Sequence, residues 1–152
     1  MRLLIVAVGR LKTGPLADLQ SHYAQRLTWP LAIKEVEERR ALPADAKKAR
    51  EGELLLAALP KDALLVALDE RGKTLASKAF AERLARWRED GVKTLAFAIG
   101  GADGLAQPVV QRAALTLSLG AMTWPHLLAR GLLLEQLYRA QQILAGHPYH
   151  RE

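Results

Sequence analysis

A chain of 152 residues, half of them hydrophobic, is long enough for one domain with a real core. Its 22 Lys and Arg against 16 Asp and Glu leave a formal charge of +6, which favours an anionic partner such as nucleic acid and also serves solubility. The lack of cysteine excludes disulfides, thiolate metal sites and a cysteine nucleophile.

The apolar run over 3–8, closed by Gly9, predicts a buried first strand. It is too short for a signal-peptide core and no run approaches membrane-spanning length, so a cytoplasmic protein is expected. Gly14-Pro15 opens a helix striped by Leu16, Leu19, Tyr23 and Leu27, and Trp29-Pro30 stops it. A weaker strand over 31–36 is interrupted by Lys34 and Glu35, which predicts a position near a sheet edge. The stretch 37–50 is the most charged, with Arg39, Arg40, Lys47, Lys48 and Arg50 around Pro43. It reads as a solvated face, with RNA contact as the alternative. Leu54, Leu55, Leu56 and Leu59 end a helix that Pro60 stops. A third buried strand covers 63–68. Ser77 is expected to cap the next helix, striped by Phe80, Leu84 and Trp87 and closed by Gly91. A fourth strand covers 94–99, a short helix starts at Pro108, a fifth strand covers 116–119, and a long helix runs from Pro125 to about Ala145.

This βαβαβαβαβα order implies an α/β domain over 1–152, with a mostly parallel sheet and helices on both faces. The fourth and fifth strands run into Gly100-Gly101-Ala102-Asp103-Gly104 and Gly120. With Leu68 at the end of the third, three strand ends fall on the carboxyl edge, where open α/β sheets bind ligands. The glycine spacing is neither a dinucleotide fingerprint nor a P-loop. With no Arg or Lys in either glycine turn, an uncharged base and a thioether suit the site better than a pyrophosphate. The histidines His22, His126, His147 and His150 lack metal-ligand spacing, so no metal is expected. The last helix carries leucine over most of its circumference, which reads either as a homodimer contact or as the most buried core element.

Four motifs in order bear a closer resemblance. They are Ile99-Gly100-Gly101-Ala102-Asp103-Gly104-Leu105; Met122-Thr123-Trp124-Pro125-His126 with Leu128 and Arg130; Leu134-Glu135-Gln136-Leu137-Tyr138-Arg139-Ala140; and His147-Pro148-Tyr149-His150. Over essentially its whole length the chain resembles the small SPOUT methyltransferases of the RlmH type. The resemblance implies an α/β/α sandwich with a mostly parallel five- to six-stranded sheet and a C-terminal trefoil knot. It implies a homodimer that uses S-adenosyl-L-methionine to methylate the N3 of a pseudouridine in 23S ribosomal RNA, on the assembled ribosome. Carried over by position, the cofactor site is Leu68, Gly100, Leu119, Gly120, Ala121, Met122, Thr123 and Trp124.

Transfer to an imide nitrogen requires loss of its proton, so a base or an electrostatic stabiliser is useful. Glu135, His126, His147 and His150 are candidates, with Tyr149 beside His150 in the tail, and Arg139 and Arg151 as phosphate or base contacts. Each has a plainer reading: Glu135 pairs with Arg139, His126 caps its helix, and the tail residues order a chain end. A basic ribosome-binding protein without catalysis, and a SPOUT enzyme acting on another RNA such as tRNA, are the rival functions.

Overall fold

The computed structural model describes residues 1–150. One five-stranded parallel sheet runs through it in the order β2-β1-β4-β3-β5. The strands are β1 (Arg2–Val8), β2 (Leu31–Val36), β3 (Leu64–Thr74), β4 (Thr94–Ile99) and β5 (Leu115–Ser118). The helices are α1 (Pro15–Ala24), α2 (Ala44–Ala57), α3 (Ser77–Glu89), α4 (Gln107–Arg112) and α5 (His126–Leu144), with a 3-10 turn over Pro148–His150.

The alternation of side chains along each strand explains the layers. Leu3, Ile5, Leu95, Phe97 and Ile99 face one side and pack with α3 and α5, flanked by α1. Leu4, Val6, Ala96 and Ala98 face the other side and meet Leu55 of α2 and Val109 of α4. β4, in the middle of the sheet, is buried at all of its positions. Each of its large side chains contributes about 1.5–3 kcal/mol of burial. β2 lies at an edge, as Lys34 and Glu35 predict.

Three local expectations need correction. The third strand does not end at Leu68. It makes an excursion and returns, so that both Leu68 and Lys73 register on Leu117 of β5. Ser77 does not cap α3: Ala76 holds the cap position, and the Ser77 hydroxyl donates to Gln136 Oε1 at 2.7 Å. α1 stops at Ala24, short of Trp29-Pro30.

α5 spans the domain from edge to edge. The His126 ring lies against Gly9, at the carboxyl end of β1. Near the other end Gln141 accepts from the Thr28 amide at 2.6 Å, just ahead of β2. The helix therefore runs antiparallel to the strands. Its leucines are covered largely by the sheet, α1 and α3 of the same chain, and Leu128 and Leu132 stay only half-buried.

Candidate active site

The chain reverses tightly where β4 and β5 end. A side chain on Gly100 would place its Cβ 2.6 Å from the Gly104 carbonyl, so only glycine lets this loop close on itself. Gly120 turns at φ +122°, which side chains resist, while the Ser118 hydroxyl both accepts from the Gly120 amide and donates to its carbonyl. Trp124 Nε1 donates to the Leu119 carbonyl at 3.4 Å, drawing the ends of the loop together.

These turns open on a cavity of about 420 Å³ at the carboxyl edge. It is lined by Leu68, Gly100, Leu119, Gly120, Met122, Thr123 and Trp124. Ala121 belongs to the same loop and is exposed. Met122 and Trp124, 74% and 42% exposed, are the large hydrophobic side chains that the described surface leaves open.

The cavity floor is uncharged, but its rim is not. Asp69, Glu70 and Arg71 come from the excursion of β3, Asp103 from the glycine loop and Lys48 from α2. The hydrogen bond from Arg71 holds the Asp69 carboxyl below its usual range although burial opposes it. Behind the loop the buried Glu51 carboxylate would meet a side chain on Gly101 at 3.1 Å. Burial pushes Glu51 up, with Asp103 adding to it and Lys47 opposing. Of these groups only Asp103 stands in a glycine turn, so the glycine pattern carried no signal for the others. Elsewhere in the basic stretch Arg40 and Arg50 both pair with Glu38, whose carboxyl is held at about 2, chiefly by the Arg40 hydrogen bond.

His126 also lines the cavity. It does not cap α5, which starts from Pro125 without a side-chain bond. Burial, and next the charge of Arg130, push its pKa down, so the ring is a neutral imidazole near pH 7. Arg130, one turn on, is a fully buried arginine that occurs in the second motif without an assigned role. It donates to Glu35 Oε2 at 2.6 Å and to the Gly9 carbonyl at 2.9 Å, clamping the start of α5 to the ends of β1 and β2.

Glu135, Arg139 and Tyr149 come together. Arg139 donates to Glu135 Oε1 through Nε at 3.0 Å and Nη2 at 2.6 Å, and Tyr149 Oη donates to the same oxygen at 3.2 Å. The guanidinium also lies over the Tyr149 ring, 5.1 Å from its centre. Burial, and then the bond with Tyr23 and the charge of Glu135, push the Tyr149 hydroxyl up, so it remains a donor. His147 Nδ1 accepts from the Tyr149 amide. The cluster does not line the cavity of its own chain. At about 1.5 Å per residue, Glu135 lies roughly 14 Å and Arg139 roughly 20 Å along the helix from His126. The side chain of His150 and all of Arg151 lie outside the described residues.

Comparisons with known proteins agree with this geometry. A family model described as a predicted SPOUT methyltransferase matches residues 1–150. The ribosomal RNA large subunit methyltransferase H of Rhodospirillum centenum is 60% identical over 151 residues, and that of Paramagnetospirillum magneticum 58%, each covering 99% of both chains. Among solved structures, a probable methylase family protein from Haemophilus influenzae superposes with TM-score 0.51 at 15% identity, over 95% of this chain and 66% of that one. A Legionella pneumophila methyltransferase, solved with bound SAM, gives TM-score 0.50 at 16% identity, over 92% and 66%. These two likenesses speak for the fold, and the whole-length identities speak for closer kinship. The chain belongs to the SPOUT methyltransferase family, within the group of ribosomal RNA large subunit methyltransferase H.

Proposed function

We propose that the protein methylates the N3 of a pseudouridine in 23S ribosomal RNA of the assembled ribosome, with S-adenosyl-L-methionine as donor. In this reading residues 1–152 act as one domain, in a cytoplasmic homodimer that carries the family's trefoil knot. The observation that carries it is the convergence of Leu68, Gly100 and the loop around Gly120 on one cavity at the carboxyl edge. The names of the relatives supply the RNA.

The cavity fits the cofactor chemically. Its main-chain groups and apolar side chains suit an adenosine, and three rim carboxylates against two basic groups suit a cationic sulfonium better than a phosphate. Leu68, Gly100, Leu119, Gly120, Ala121, Met122, Thr123 and Trp124 would hold it. Bound there, it supplies an electrophilic methyl group.

The chain's own residues orient the acceptor base and manage its proton. The exposed Trp124 and Met122 offer a stacking surface to an extruded nucleotide. His126, neutral and at the cavity, is placed to take the imide proton. Arg139 stabilises the anion that remains, with Glu135 and Tyr149 fixing its guanidinium.

A second copy brings these groups together. Leu128, Leu132, Glu135 and Arg139 recur at helical spacing on the half-buried stripe of α5. A two-fold axis crossing α5 between these leucines and Glu135 pairs the stripes antiparallel, so Arg139 of one copy lies beside His126 of the other. Sedimentation tests the dimer, and a crystallographic chain trace tests the knot. For the reaction, 23S RNA from a deletion strain is mapped by mass spectrometry. The pseudouridine methyl should vanish and return with the plasmid-borne gene; its persistence in the deletion strain would overturn the assignment.

A further inference from the structure

Glu51 of α2 is a buried carboxylate, 5% exposed, that the reaction described above leaves unused. Its two oxygens lie 3.1 and 3.3 Å from where a Cβ on Gly101 would stand, beside Val8 of β1. Gly101 lines the cavity and Glu51 lies behind it, so a single thickness of main chain separates the carboxylate from the cavity. No hydrogen bond or ion pair among the described residues reaches this carboxylate. The charges that act on it stand off: Lys47, one turn earlier on α2, and Asp103 of the glycine loop.

An unpaired buried carboxylate lowers stability, so the fold does not account for its presence. The carboxylates on the cavity rim are placed differently. Asp69 is engaged by Arg71 and Glu70 accepts from Thr123. Asp103 is exposed, where water and salt screen its charge. Glu51 acts from less polarisable surroundings, where a charge reaches further. A sulfonium has no N–H or O–H to donate, so attraction through space carries much of its recognition. A carboxylate in direct contact with it would also be a rival methyl acceptor, forming an ester. One held behind the main chain attracts without competing.

We propose that Glu51 is a positioning residue that acts across Gly101 to make the cavity prefer the charged methyl donor over its neutral thioether product. The proposal rests on the methyltransferase reading above. Before transfer, the carboxylate faces a positive charge in the cavity, which acts on it in the same sense as Lys47 and favours its ionised form. On transfer the pair on the acceptor nitrogen forms the new N–C bond and the S–C pair returns to sulfur. The positive charge disappears, and the attraction with it. Glu51 thus favours entry of the donor and release of the product. It offers the transition state less than the ground state, because the sulfonium charge is already fading there, so its loss should show in KM and not in kcat.

Calorimetry compares S-adenosyl-L-methionine with S-adenosylhomocysteine on wild type, Glu51→Gln and Glu51→Asp, with Asp103→Asn as the counterpart on the rim. Glu51→Gln keeps the shape and should weaken the sulfonium ligand about tenfold while leaving the thioether within about twofold. Glu51→Asp keeps the charge but draws it back from Gly101, and should fall between. Asp103→Asn should change the ratio of the two affinities by less than Glu51→Gln does. In methyl transfer to ribosomes, Glu51→Gln should raise KM for the cofactor about tenfold with kcat within about twofold. Its urea midpoint should match or exceed that of wild type, since an unpaired buried charge has been removed. An unchanged affinity ratio in Glu51→Gln, a larger change from Asp103→Asn, or a lowered midpoint would overturn the selection by Glu51 while leaving the methyltransferase standing. Wild-type protein that binds neither ligand would overturn both.

Discussion

The two ends of α5 each hold an arginine and a carboxylate 2.6 Å apart, and the two pairs do different things. Arg130 is withdrawn from water and bonded to Glu35 and to the last carbonyls of β1. Arg139 and Glu135 are partly open, one turn apart on the same helix, and share their bonds with a tyrosine from the tail. An equal contact distance therefore says little about role. Burial makes the first pair structural, because a buried charge stripped of its partner is costly. Partial exposure leaves the second cheap to rearrange and available to a substrate.

The largest effect should come from the buried end. Arg130→Ala strips Glu35 of its ion-pair partner, leaving it the Leu11 amide, and takes the guanidinium from the strand-end carbonyls; it should lower stability by about 3 kcal/mol, the low end for such pairs because Glu35 keeps some solvent and one bond. Urea unfolding measures it, and a loss below about 1 kcal/mol would mean the clamp is not structural. At the other end the sign of the contrast reverses. Glu135→Gln should reduce methyl transfer about a hundredfold while shifting stability by no more than about 0.5 kcal/mol, the worth of an i,i+4 pair. Equal losses of activity and stability would erase the distinction between the two pairs.

Away from α5, Gly100→Ala should weaken S-adenosylhomocysteine binding about tenfold by opening the loop, a clash that rests on the 2.6 Å approach to Gly104. Calorimetry with unchanged affinity would move the cofactor elsewhere. The smallest effect is acid dependence. Burial pushes Glu35 up, but bonds from Arg130 and the Leu11 amide, with the charges of Arg130 and Arg10, leave it below its ordinary 4.5. Its folded pKa is depressed, so its contribution is present above about 4.5 and is lost as pH falls through the lower folded value. Glu35→Gln should flatten stability against pH in that window, and an unchanged acid limb would contradict the pairing.

Much of the fold could be read directly. The strand over 94–99 coincides with its expected limits because a continuous apolar run, ended by turn residues, carries its own boundaries; the strand over 31–36 matches too, although Lys34 and Glu35 interrupt it. The second half of β3 could not be read: the sequence Asp69-Glu70-Arg71-Gly72 is polar, and only its return to Leu117 of β5 makes it a strand. Part of the cavity showed in the glycines that end β4 and β5. Most of its charged rim did not, since Lys48, Asp69, Glu70 and Arg71 come from segments other than the glycine turns.

The sequence alone determined the alternation of elements, the edge where they open and, through its four motifs, the family. Hydrophobic period and turn chemistry are local properties that neighbouring residues settle among themselves. Tertiary structure decided which arginine is buried and which carboxylate lies beneath a loop. Those outcomes depend on residues tens to more than a hundred positions apart, as with Arg130 and Gly9, whose meeting is set by the packing of α5 across the sheet.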